Sequence, residues 1–244
     1  MRPILVTGGT GTLGRVLVGQ LTAAGHQVRV LSRKPAGTPG HFTGDLSTGA
    51  GLAEAVAGTD VIVHCASDPR HWPVDIDGTR RLVEAARAAG APHLVYVSIV
   101  GVDRIPYGYY KAKLAAERVV EESGLPWTIL RATQFHNLIA ALAKVLTKSP
   151  VVPVPKGLSF QPCDIHEVAA RLVELATAPA TGRAPDFGGP EIRTAEELVK
   201  RYRHRPIVSV PLPGKVFRAL RSGANLAPDR RSGRITFEDF LSGY

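Results

Sequence analysis

The chain is poor in the residues that announce a metal centre, a disulfide frame or a membrane span. Its two cysteines, Cys65 and Cys163, lie far apart with no C-x-x-C spacing, which excludes a disulfide scaffold and a zinc knuckle. Eight histidines include no H-E-x-x-H pair, and His166-Glu167 stops short of one, so no metal is expected. No apolar run approaches the length of a membrane span, and the N-terminus leads straight into a strand without a signal-peptide layout. The expectation is a soluble, cytoplasmic protein with no membrane partner. Acid is also missing locally: residues 1–44 hold no Asp or Glu, yet carry Arg2, Arg15, Arg29, Arg33 and Lys34. The net charge of +9 would suit nucleic acid, but no reading helix or aromatic platform stands out, so none is expected as a partner. A second basic group, from Lys200 through Arg205 and from Arg218 to Arg234, reads as a solvated face. The early group is expected to face an anionic cofactor.

What is present is a regular alternation. The stretch Pro3 to Val18, PILVTGGTGTLGRVLV, reads as a strand (3–7), a glycine turn and a helix (12–24). Its glycines fit Gly9-x-Gly11-x-x-Gly14 and Gly8-x-x-Gly11-x-x-Gly14 preceded by Thr7. Glycine tolerates positive φ and lets phosphates approach the backbone, and the helix that follows offers unpaired N–H groups. Strands are then expected at 27–32, 41–43, 60–66, 93–98 and 126–132, with helices near 50–57, 75–89 and 109–123. That order implies a parallel, doubly wound α/β sheet of the Rossmann type, with ligands beyond the carboxyl ends of its strands. From about 133 the rhythm changes. Helices are expected at 134–147, 165–178, 194–203 and 214–221, strand-like pieces at 184–188 and 206–210, and a short helix in the tail. Prolines in VVPVP (151–155) exclude a central strand there. The reading is a dinucleotide-binding core over 1–132 and a small lobe over 133–244, in one structural unit.

The end of the second strand bears on cofactor choice. NAD-preferring proteins of this fold place a carboxylate there for the ribose 2′-hydroxyl. This chain has Ser32-Arg33-Lys34 instead, and a guanidinium suits a 2′-phosphate. NADP(H) is therefore expected over NAD(H). Asp45 and Leu46 after the third strand, and Cys65, Ala66 and Ser67 after the fourth, are expected beside the adenosine. Thr7, Gly8, Gly11, Thr12, Leu13 and Gly14 are expected to cradle the phosphates.

With TGGTGTLG, GDL, DGTRRLVEAARAAG and YYKAKLAAE in view, the chain resembles the short-chain dehydrogenase/reductase superfamily, closest to its extended and atypical members, the NmrA-like and sugar-epimerase-like branch. The resemblance implies chemistry by a Y-x-x-x-K pair, in which the lysine lowers the phenol's pKa and holds the nicotinamide ribose while the tyrosine passes a proton. Two registers satisfy it: Tyr109 with Lys113, and Tyr107 with Lys111. The x-x-x-E that follows the lysine in extended members fits Lys113 and Glu117, which favours Tyr109. The family's catalytic hydroxyl follows the fifth strand. Only Ser98 answers to it here, a residue or two early, and Asp75 stands where many relatives have Asn. After the sixth strand, Thr133, Gln134, Phe135 and His136 are the substrate-pocket candidates, bordered by Phe160, Gln161 and Pro162.

Two functions follow: an NADPH-dependent reductase of a small carbonyl, quinone-like or polyketide-type substrate, or an NmrA-like NADP(H) sensor without turnover. The oligomeric state, monomer or homodimer, is left open.

Overall fold

The computed structural model describes residues 3–35, 37–68 and 73–243. Short apolar runs alternate with amphipathic repeats, and the elements follow that rhythm. They run β1 (Ile4–Thr7), α1 (Thr12–Ala23), β2 (Val28–Ser32), β3 (His41–Thr43), α2 (Leu52–Val56), β4 (Val61–His64), α3 (Pro73–Ala88), β5 (His93–Ile99), α4 (Gly108–Glu121) and β6 (Trp127–Ala132). After these come α5 (His136–Leu146), β7 (Val152–Pro155), β8 (Ser159–Phe160), α6 (Ile165–Thr177), β9 (Gly182–Arg183), β10 (Arg193–Thr194), α7 (Ala195–Tyr202), β11 (Ile207–Val210), α8 (Lys215–Arg221) and α9 (Phe237–Ser242).

Seven strands form one parallel sheet in the order β3-β2-β1-β4-β5-β6-β9. β1 and β4 are buried along their whole length, as strands covered on both faces must be. Successive strands add to one side of β1 and then, from β4, to the other. The switch lies between the carboxyl ends of β1 and β4, where such sheets leave a crevice.

The chain divides into two compact units that interleave along the sequence. The first comprises 1–98, 111–130 and 168–184. Its core joins Leu5, Ile62, Leu94 and Tyr96 of the sheet to Leu82, Val83 and Ala86 of α3 and Ala116 and Val120 of α4. The second comprises 99–110, 131–167 and 185–244. It holds two small sheets, antiparallel β10–β8 and parallel β11–β7. Val152 and Val154 of β7 are buried with Ala195 and Val199 of α7, while the prolines of β7 leave it a two-stranded pairing, as expected of VVPVP.

The strand expected at 184–188 is displaced. β9 ends at Arg183, Pro185 has no N–H to give, and pairing resumes only as an isolated bridge between Ala132 and Phe187. Thr194 and Thr236 cap α7 and α9, each in a reciprocal box with the residue three positions on, Glu197 and Asp239.

Candidate functional site

The turn after β1 is built backbone against backbone. Gly8 has φ +70°, and a Cβ there would lie 2.6 Å from the Ala66 nitrogen, so the β1 and β4 loops meet without side chains between them. A Cβ on Gly14 would run into the Gly8 carbonyl oxygen, which already accepts from the Gly11 N–H at 2.9 Å. The helix N-cap is Gly11, with no side-chain cap and no acid in the first turn. Its leading N–H groups and positive dipole end are left for an anion.

Above this turn lies a cleft of about 430 Å³. Of the residues expected at the cofactor, Gly8, Gly11, Ser32, Arg33, Asp45, Leu46, Cys65, Ala66 and Ser67 line it. Thr10, Ser47, His64, Asp68, Asp75 and Gly78 line it as well. Thr7, Thr12, Leu13, Gly14, Lys34 and Lys113 do not form its wall. Leu13 is buried, and Lys34 is exposed, its carbonyl accepting from Ser32 Oγ at 3.3 Å. Arg29 departs from the expectation for the early basic group. Its guanidinium donates to the carbonyls of Ala55 and Ala57 and covers the Phe42 ring, so it serves the first unit's own packing. Asp45 accepts the Ser47 N–H and hydroxyl, both at 2.8 Å; the bond from the Ser47 N–H, then that from its hydroxyl, holds the carboxyl below its usual range.

Beneath the cleft runs a buried polar chain that the sequence did not announce. Thr79 Oγ1 donates to the Asp75 carbonyl at 2.7 Å, so toward His64 it can only accept. His64 Nε2 therefore carries the proton and donates to Thr79 at 3.1 Å. His64 Nδ1 then accepts from Thr7 Oγ1 at 2.6 Å. Burial, helped by the neighbouring Lys113, lowers the His64 pKa to about 3 and keeps the ring neutral. Lys113 is 4% exposed and donates to the Val97 carbonyl at 2.7 Å. Burial lowers its pKa to about 8, against the pull of Asp75 and Glu117. Glu117, fully buried, pairs with Arg183 at 3.2 Å, a partner from β9 that no local spacing points to. Asp75 accepts Ser67 Oγ at 2.7 Å and the Asp68 N–H at 3.0 Å, and burial raises its pKa. Cys65 is a protonated thiol, its pKa pushed up to about 12 by burial.

The remaining expected residues have other surroundings. Ser98 is 3% exposed, and its Oγ finds no hydrogen-bond partner among the described residues. Tyr107 precedes α4 and is 52% exposed. Tyr109 lies in the first turn of α4, half-buried, its ring edge-on to Tyr110 at 6.3 Å. Tyr110, next along α4, is likewise half-buried, and burial raises its pKa. In the loop after β6, Thr133 Oγ1 donates to the Gln161 carbonyl at 2.5 Å and accepts the Gly189 N–H. Gln134 donates to the Asn225 carbonyl at 3.3 Å. His136 departs furthest from a pocket role. It is fully buried, donates from Nε2 to the Ile235 carbonyl at 3.0 Å and stacks on Phe240 at 5.3 Å. Gln161 ties Gly189 to Ala227. These side chains hold the second unit's framework, and Phe135 alone of the four is half-buried.

A glycine turn at a topological switch, an uncapped helix start and a cleft walled by both loops define a dinucleotide-binding α/β protein. The NAD(P)H-binding family matches residues 8–179. A (4-alkanoyl-5-oxo-2,5-dihydrofuran-3-yl)methyl phosphate reductase of Streptomyces griseus is 34% identical over 204 residues, 80% of this chain and 70% of that protein. Photosystem II assembly factor Ycf39 of Trieres chinensis is 27% identical over 98% of this chain and 82% of its own. The Escherichia coli NADPH-dependent quinone oxidoreductase QOR2, solved with NADPH, has the same fold: TM-score 0.84 and 18% identity, covering 98% of this chain and 99% of that one. The chain belongs to the NAD(P)H-binding family.

Among the described residues no three His, Cys, Asp or Glu side chains gather as a metal site, and no helix is long and apolar enough to cross a membrane.

Proposed function

We propose that the chain is a reductase that prefers NADPH and acts on a small carbonyl, quinone-like or polyketide-type compound. The observation that carries the cofactor preference is Arg33 on the cleft wall beyond β2, at the place where a carboxylate would favour NAD. The glycine cradle and the uncapped start of α1 suit the pyrophosphate. When bound, NADPH supplies the hydride from its nicotinamide ring.

The chain's own residues supply the rest. Arg33 binds the 2′-phosphate, and the N–H groups at Gly11 and beyond bind the pyrophosphate. Lys113, charged below pH about 8, holds the nicotinamide ribose and lowers the pKa of the acid. Tyr109 gives its phenolic proton to the substrate oxygen. α4 carries Tyr109 and Lys113 four residues apart, whereas Tyr107 precedes the helix, which supports the Tyr109 register. The named reaction of the Streptomyces relative, a reductase, is in keeping with this.

NADPH oxidation over a panel of carbonyl and quinone acceptors tests the reading. Tyr109→Phe should retain NADPH affinity and lose roughly 10²–10⁴-fold in turnover. Full activity in that variant would move the acid to Tyr107.

A second reading, an NADP(H) sensor without turnover, is favoured by Ser98. Its hydroxyl is buried, and Ile99 and Val100, which carry none, follow it. The name of the Trieres relative, an assembly factor, fits that reading. No acceptor oxidising NADPH across the panel, with tight NADPH binding, would select it.

A further inference from the structure

Lys113 sits in a setting unusual for a cation. Its Nζ lies 4.2 Å from the centroid of the Tyr96 ring while donating to the Val97 carbonyl next along β5. Tyr96 is 1% exposed and part of the first unit's core, so the ring is held by packing. The His64 ring lies 5.4 Å away between centroids, and His64 is paired with Tyr96 in register across β4 and β5. His64 is fixed in its neutral form by Thr7 and Thr79, so no second cation competes from that side.

We propose that Tyr96 is a positioning residue for Lys113: its ring face and the Val97 carbonyl form a seat that holds the ammonium in place and favours its charged form. This rests on the assignment of Lys113 to the cofactor. A buried ammonium with one carbonyl partner would otherwise give up its proton readily. The negative face of an aromatic ring attracts a cation, and more strongly where water is excluded. Four titratable groups face the same ammonium: His64 of β4, Cys65 beyond it, Asp75 of α3 and Glu117 of α4. His64 is neutral and the Cys65 thiol protonated, and Glu117 is shared with Arg183. Asp75 gives both oxygens to Ser67 and Asp68. The ring is thus a contact that can be altered without changing the formal charge around Lys113.

The test is the dissociation constant of NADPH, followed by cofactor fluorescence from pH 6 to 10, on the full chain. Wild-type affinity should fall as pH rises through about 8, where Lys113 loses its charge. Replacing Tyr96 by 3,4,5-trifluorophenylalanine weakens the ring's negative face with little change in volume. It should lower that midpoint by roughly half a unit to one unit. Tyr96→Phe, which keeps the face, should leave the midpoint in place, and Tyr96→Leu should lower it at least as far as the fluorinated ring. Thermal melting confirms that each variant is folded. A fluorinated variant with the wild-type midpoint would overturn the role of Tyr96 and leave Lys113 where it is. Lys113→Met retaining the wild-type pH profile would overturn the assignment of Lys113 itself.

Discussion

Gly8 and His64 show how single residues set the cleft from opposite directions, one by having no side chain and one by having a fully satisfied ring. Gly8 adopts φ +70° with the Ala66 nitrogen 2.6 Å from where a Cβ would stand, and backbone atoms cannot swing aside as a long side chain can. Gly8→Ala should therefore push the β1 and β4 loops apart and weaken NADPH by on the order of tenfold or more, measured by titration. His64 makes stability depend on pH. Its folded pKa of about 3 lies below the ordinary 6.5, so between those values the unfolded chain binds the proton the folded one refuses. Its contribution is whole above pH about 6.5 and drains away as pH falls toward 3, by up to about 1.4 kcal/mol per pH unit. Denaturant midpoints between pH 5 and 7 should show this slope in the wild type. In His64→Gln the slope should be smaller by about one proton, whatever the variant's absolute stability.

At the scale of elements, capping and pairing decide where structure stops. Thr194 accepts the Glu197 N–H at 3.2 Å while the Glu197 carboxylate accepts the Thr194 N–H at 2.7 Å, closing the start of α7. Thr194→Ala should cost about 1 kcal/mol, a fall of a few degrees in Tm by calorimetry. This start was legible in the sequence, as were the strands of the main sheet, because period-2 and period-3.6 patterns and caps are local. β9 was not, since two residues before Pro185 carry too little pattern and their place depends on Thr128 and Ile129 of β6. The glycine turn was legible for the same local reason. The Thr7–His64–Thr79 chain was not, because it joins residues 57 and 15 positions apart. Tyr96 under Lys113 and Arg183 on Glu117 are likewise products of tertiary pairing. His136 misled in the other direction. A polar residue in a loop near the end of a strand reads as a pocket residue until its partner, the Ile235 carbonyl 99 residues away, is in view.

The two units take alternating segments of the sequence, and that bears on where the chain can be cut. A fragment ending at residue 132 keeps β1 to β6 but lacks 168–184, which complete the first unit with most of α6 and with β9. It would leave β6 as an open edge and Glu117 without Arg183. Expressed alone, 1–132 should lack a cooperative melting transition; native-like melting with NADPH bound would show the first unit to be self-sufficient without them. Charge is arranged on the same scale. With no acid before Asp45, the cleft of the first unit meets a polyanionic cofactor with Arg33 on its wall and the start of α1 below. The most direct measurement is therefore the affinity for NADPH and NADH side by side, in the wild type and in Arg33→Ala. The wild type should prefer NADPH by roughly ten- to a hundredfold, the worth of a charge-assisted contact. Arg33→Ala should lose most of that preference with NADH affinity unchanged. Equal wild-type affinities, or a variant weakened equally toward both cofactors, would contradict the account.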